Sequence, residues 1–175
     1  MPTLPWKKHG DPKGGRPNCP YSMSTTTMTR TTFADYAAQQ EARENIALAV
    51  LGHTFALCEA LRQNYISYCI KGHYRSLQLG ENTDYHERCI ADLKTGNYGY
   101  KFYPETGRKY HKIIMETDNG NRSVHAFVDK KTGEVYKSAS WKSPAKGVRY
   151  DLRLISDREW LLENADWSGS YLYAR

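Results

Sequence analysis

The stretch Tyr98–Ser140, YGYKFYPETGRKYHKIIMETDNGNRSVHAFVDKKTGEVYKSAS, decides the fold. Three turn signals cut it into four runs: Pro104-Glu105-Thr106-Gly107, Asp118-Asn119-Gly120 and Asp129-Lys130-Lys131-Thr132-Gly133. Gly, Asn and Asp tolerate the backbone angles that tight turns need, and Pro presets one of them. The runs between are rich in Tyr, Val and Ile, residues that suit a pleated surface. Strands are therefore expected at Tyr98–Tyr103, Lys109–Glu116, Arg122–Val128 and Glu134–Ser140. Alternation places Val124, Ala126 and Val128 on one face of the third. Short loops between such runs make an antiparallel meander.

Upstream the period changes to that of a helix. From Phe33 to about Ile70, apolar residues recur at spacings near three and four: Ile46, Ala49, Val50, His53, Leu57, Leu61 and Ile66. Thr31 or Thr32 can cap its start. Gly52 either breaks this run into two helices or weakens one. A single helix of that length outruns a small core and wants a partner helix, so a homo-oligomer through the N-terminal helix is expected. A shorter helix is expected over Thr83–Leu93. Asn82 or Thr83 caps it, Tyr85, Cys89, Ile90 and Leu93 share a face, and Gly96 stops it. Downstream come a Trp-Lys-Ser-Pro-Ala-Lys-Gly loop, an extended piece around Val148–Leu154 and a helix at Asp157–Asn164. The expected fold class is α+β: a helix or helix pair, a four- or five-stranded antiparallel sheet, and a short C-terminal helix. The domain spans residues 32–175, with a helical part at 32–95, a β-rich part at 97–155, and a C-terminal helix and tail at 156–175. Residues 1–31, rich in Pro, Gly, Ser, Thr and Lys, lack the apolar surface to offset ordering and read as a disordered basic tail. Lys7 and Lys8 give that tail a possible hold on phosphate. Met23 and Met28 are alternative starts to Met1.

Charge divides the chain into blocks. The net is +6 overall, from +4 over residues 1–32, −2 over 33–100, +6 over 101–153 and −2 over 154–175. The basic block is the β-rich one, and its field draws phosphates, nucleotides or nucleic acid. No apolar run reaches the length of a membrane span, and no secretory signal is visible, so no membrane association is expected. Cys19, Cys58, Cys69 and Cys89 do not form a disulfide framework, which points to free thiols in a reducing compartment.

Within the basic block, Phe127, Tyr136 and Trp141 offer aromatic faces, and Lys137, Lys142, Lys146 and Arg149 offer cations. Bases stack on aromatic faces, and Arg and Lys hold phosphates. The Pro-Ala-Lys-Gly loop could turn backbone N–H groups toward an anion. These seven residues are the expected ligand site. The competing reading makes Phe127 and Trp141 core, covered by lysine stems. Cys69, His73, His86 and Cys89 have a spacing that two helices could turn into zinc ligands, but Cys89 also fits its helix's apolar stripe, and no metal is assigned. His125 and Asp129 share a side of a regular strand and could make an acid/base pair. His111 and Tyr110 invite the same reading. There is no Gly-x-Ser-x-Gly elbow, no Gly-x-x-x-x-Gly-Lys loop and no His-Glu-x-x-His helix, so a non-enzymatic role without cofactor is expected.

The segment Arg122–Arg149, with its Trp141-Lys-Ser-Pro-Ala-Lys146 core, and the ending Gly169-Ser-Tyr-Leu-Tyr-Ala-Arg175 resemble a family of small proteins of tailed bacteriophages. That resemblance implies a phage protein acting in the cytoplasm of an infected bacterium. The architecture also resembles phage sponges against Thoeris defence, which sequester cyclic ADP-ribose isomers and in some cases cyclic oligonucleotides. No motif of theirs is matched, so no site residue transfers. What the likeness implies is an anti-defence sponge for a nucleotide-type small molecule. The alternatives are a nucleic-acid-binding accessory protein of phage replication or host takeover, and a structural interaction module.

Overall fold

The computed structural model describes residues 32–96 and 99–173. The expectations for the tail and for the true start codon lie outside them. The order is α1 (Phe33–Gln78), α2 (Thr83–Thr95), β1 (Tyr100–Thr106), β2 (Tyr110–Thr117), β3 (Arg122–Asp129), β4 (Glu134–Lys137), β5 (Tyr150–Asp151) and α3 (Ile155–Asn164), then a 3-10 turn at Ser170–Leu172. The fold is α+β, as the sequence predicts.

The five strands form one antiparallel meander in the order β1-β2-β3-β4-β5. Pro104 lies in β1 rather than in a turn, opposite Ile113. A sheet tolerates proline at an edge, where no ladder hydrogen bond is lost, and β1 is an edge strand. One face of the sheet carries Phe102, Ile113, Ala126, Val128 and Val135 into the main core. From above, α1 supplies Val50, Leu57, Cys58 and Leu61, and the C-terminal part supplies Leu161, Ala165, Tyr171 and Leu172. Thr54 is buried among them, and its hydroxyl donates to the Val50 carbonyl at 2.7 Å.

The expected single face of Val124, Ala126 and Val128 is wrong. Ile113 pairs with Ala126 but Ile114 pairs with Val124, so a β-bulge sits at His125. The extra residue turns His125 to the core side beside Ala126 and sends Val124 to the opposite face. The ring of His125 meets Phe102 edge-on at 5.9 Å and bonds the Tyr171 hydroxyl through Nε2 at 3.0 Å.

α1 is one unbroken helix of 46 residues, longer than the expected run and continuous through Gly52. A glycine in a helix costs only about 1 kcal/mol, and the core contacts on either side outweigh it. α1 is, among the described residues, the one helix long and apolar enough to cross a membrane by length and composition. That differs from the expectation of no membrane-length segment, because Gly, His and Thr interrupt the apolar run without interrupting the helix. The helix's last turns pack on α2, where Ile90 and Leu93 are buried. The Asn82 side chain caps α2 by accepting from the Tyr85 N–H, and Gly96, in the left-handed region at φ 98°, ends it.

Candidate anion-binding cleft

The seven expected ligand residues do not converge. Phe127 is fully buried and presents no face to a ligand. It points away from the main core, opposite Lys112 and Tyr136 in register and edge-on to Tyr110 at 5.8 Å. With Ile114, also fully buried, it makes a small second core on the outer face of the sheet. Tyr136 is half-buried there, and its hydroxyl donates to Glu134 at 2.7 Å. Burial, and then that bond, push its ionisation upward. Lys137 lies over the Tyr173 ring at 3.6 Å, and Arg149 Nε donates to the Leu172 carbonyl at 2.8 Å. Both of these cations hold the C-terminal turn. The two stretches that carry the phage resemblance therefore fold against each other.

Trp141 is 40% exposed, with Lys112 and Arg122 over its ring at 5.4 and 5.5 Å. Those cations are matched by carboxylates: Glu105 pairs with Lys112 at 3.6 Å and with Arg122 at 2.8 Å, and Glu116 lies 3.7 Å from Arg122. Three of the loop's amides are used internally. The N–H groups of Lys142 and Ser143 donate to Ser140 Oγ, and that of Ala145 donates to the Lys137 carbonyl. Of the expected Pro-Ala-Lys-Gly cradle, the Ala145 N–H is thus already committed within the loop. Lys142 and Lys146 remain exposed on it.

The acid/base pair fails for the same reason as the strand face. The bulge turns His125 into the core, and burial lowers its pKa to about 4. Asp129 instead organises the β3–β4 turn, accepting from the N–H groups of Lys131 at 2.9 Å and Thr132 at 3.3 Å. Of the four potential zinc residues, His73 and His86 meet, Nδ1 to Nδ1 at 2.9 Å, across the α1–α2 contact. No group of three or more potential ligands able to hold a metal ion forms among the described residues.

A concentration of cations lies elsewhere. The β1–β2 and β3–β4 turns end side by side, because Tyr110 pairs with Asp129 and the Lys130 N–H donates to the Lys109 carbonyl at 3.1 Å. The first half of α1 runs past them. Between the three lies an open cleft of about 870 Å³. Its rim carries Arg43 from α1, Arg108 and Lys109 from the first turn, and Lys130 and Lys131 from the second. Against these five cations stand Glu44 and Asp129. Asp129 is 5% exposed, committed to the turn amides and 3.7 Å from Lys109. The remaining wall is Gln40, Ile46 and Ala47, part amide and part apolar.

Behind these turns sits His111, opposite Thr106 on one side and Val128 on the other. It is 2% exposed. Nδ1 lies 3.0 Å from the Thr106 hydroxyl, and Nε2 has no hydrogen-bond partner among the described residues. Burial lowers its pKa, and the charge of Lys130 lowers it further, so the ring is neutral at neutral pH. The basic block of the sequence pointed to these turns in outline. Arg43, sixty-five residues before Arg108, carries no sequence signal for belonging with them.

No curated protein and no solved structure matches the chain. Residues 33–174 match the model of a family of unknown function, DUF7717, and the chain belongs to that family.

Proposed function

We propose that this protein is a non-enzymatic binding protein that holds a phosphate-bearing, nucleotide-type ligand in the cleft between α1 and the two hairpin turns. The observation that carries the reading is the set of five cations around one cleft, opposed by two carboxylates of which Asp129 is already engaged. The volume falls within the range of small-molecule sites. Arg43 and Arg108 suit bidentate contacts to phosphate, and the three lysines add point charge. Ile46 and Ala47 offer an apolar wall to the body of the ligand. The resemblance to phage sponges adds the suggestion that the ligand is an immune signal, a cyclic ADP-ribose isomer or cyclic oligonucleotide, held without turnover in an infected host.

Calorimetric titration with ADP-ribose, cyclic ADP-ribose isomers and cyclic dinucleotides tests this. Saturable binding is expected, with the ligand recovered intact after denaturation. Lys130→Glu with Lys131→Glu should weaken it by roughly tenfold per reversed charge. Lys142→Glu with Lys146→Glu should leave it within about threefold, since both lie outside the cleft. A chemically altered ligand overturns the non-enzymatic reading. Loss of binding on the second pair alone moves the site to the Trp141 loop. Binding of DNA or RNA that falls steeply with salt, with no small ligand held, would put the nucleic-acid reading in its place.

A further inference from the structure

Between Glu41 and Leu61, α1 buries one side only. Val50, Leu57 and Leu61 are fully buried against the sheet, while Leu48 and Phe55, on the opposite side, are 66% and 55% exposed. From these positions we infer that this outer side is the interface for a second copy of the chain, packed antiparallel about Gly52.

The exposed positions form a seam at alternating steps of four and three, the repeat that lets two helices lie along each other. Gly52 stands at its centre, and a Cβ added there would meet nothing within 4 Å. Leu48 precedes it by four residues and Phe55 follows by three. In an antiparallel pair centred on Gly52, Leu48 of one copy falls opposite Ala56 of the other, and Phe55 falls opposite Ala49. Each large side chain meets a small one, and the two glycines let the backbones approach. Seven residues out on either side are Asn45 and Glu59, an amide opposite a carboxylate. Ten and eleven residues out are Arg62 and Glu41, opposite charges. Arg62 already donates to Glu59 within the chain at 2.7 Å, so the partner's Glu41 would extend an existing pair. A parallel pair would put Glu41 on Glu41 and Arg62 on Arg62.

The seam is also continuous with a helix contact already present. The same steps lead from Arg62 to Ile66 and on to His73, where α2 covers α1 through the His73–His86 contact. α2 runs back along α1 and stops at Gly96, and beyond it Glu41, Asn45, Leu48, Gly52, Phe55 and Glu59 are exposed. The antiparallel arrangement takes up the seam where α2 ends, and its two-fold axis keeps the two α2 helices apart. Lipid does not fit this face. The helix that could cross a membrane by length and composition carries Val50, Leu57 and Leu61, which the sheet already holds, and the Glu59–Arg62 pair.

Sedimentation equilibrium of the full chain tests the proposal. A dimer is expected. Glu41→Arg and Arg62→Glu should each raise the dissociation constant roughly tenfold, and the two together should restore it. Phe55→Glu should abolish the dimer. The melting curve of the dilute monomer should barely move, because all three positions lie outside the core. A chain that stays monomeric up to its solubility limit overturns the proposal. So does association that ignores these charge reversals, or monomeric transfer of the wild type onto phosphatidylcholine vesicles.

Discussion

Phe127 and Trp141 are both aromatic residues of the basic block, with a lysine three residues after the first and one residue after the second. Their mutants should differ. Phe127→Ala empties a fully buried position and should cost about 3–5 kcal/mol in urea unfolding. Trp141→Ala removes a ring that is 40% exposed between Lys112 and Arg122, and should cost about 1 kcal/mol. Local sequence specifies that a ring is present, but accessibility depends on which face of the strand it takes and on what folds over that face. His125 makes the same point through acid. In the unfolded chain it binds a proton near pH 6.5, and in the folded chain only near pH 4. Between those values the unfolded state holds the extra proton, so stability falls as pH falls. The loss approaches about 3 kcal/mol at pH 4 and stops growing below it. His53 and His111, also lowered, pull in the same direction. Equilibrium unfolding between pH 7 and pH 4 should show this slope, and His125→Gln should flatten it. Nothing in the alternation of Arg122–Val128 discloses the bulge that turns this ring inward, because a bulge is one residue of slippage between two strands.

The elements themselves were largely legible. The turn signals at Asp118–Gly120 and Asp129–Gly133 mark hairpins where they stand, since glycine there supplies a positive φ that few other residues adopt. Gly133 is the more demanding of the two. It sits at φ 77°, and a Cβ would come within 2.9 Å of Arg153 Cγ. Gly133→Ala should therefore cost about 1–3 kcal/mol in thermal or urea unfolding, while Gly120→Ala, with open space around it, should cost about 1 kcal/mol. Several boundaries differ from the sequence expectation, two of them because of a neighbouring element. Pro104 reads as a turn residue, but β1 is an edge and absorbs it. The periodicity of α1 fades near Ile70, but α2 packs on the turns beyond and carries the helix to Gln78. Residue preferences weight a boundary, and contact with the next element settles it.

At the scale of the whole molecule, the cleft is assembled from three places: Arg43, the turn at Arg108 and Lys109, and the turn at Lys130 and Lys131. Charge counting located four of these cations in the basic block. It could not gather them, because the approach of α1 to the turns is a product of the completed core. Ligand affinity in this cleft should fall roughly tenfold from low salt to several hundred millimolar, as the open rim is screened. A calorimetric salt series checks this, and an affinity indifferent to salt would remove the rim cations from binding. The same completed core also encloses Cys58. Its thiol is 4% exposed, and burial pushes its pKa up to about 12, so the native protein holds almost no thiolate there at neutral pH. An alkylating reagent can reach that sulfur only when α1 lifts from the sheet. Half-buried Cys69 and Cys89 need no such event. The lag of Cys58 behind them is thus a clock set into the chain, counting how often the native molecule comes apart while every bulk signal still reports it folded.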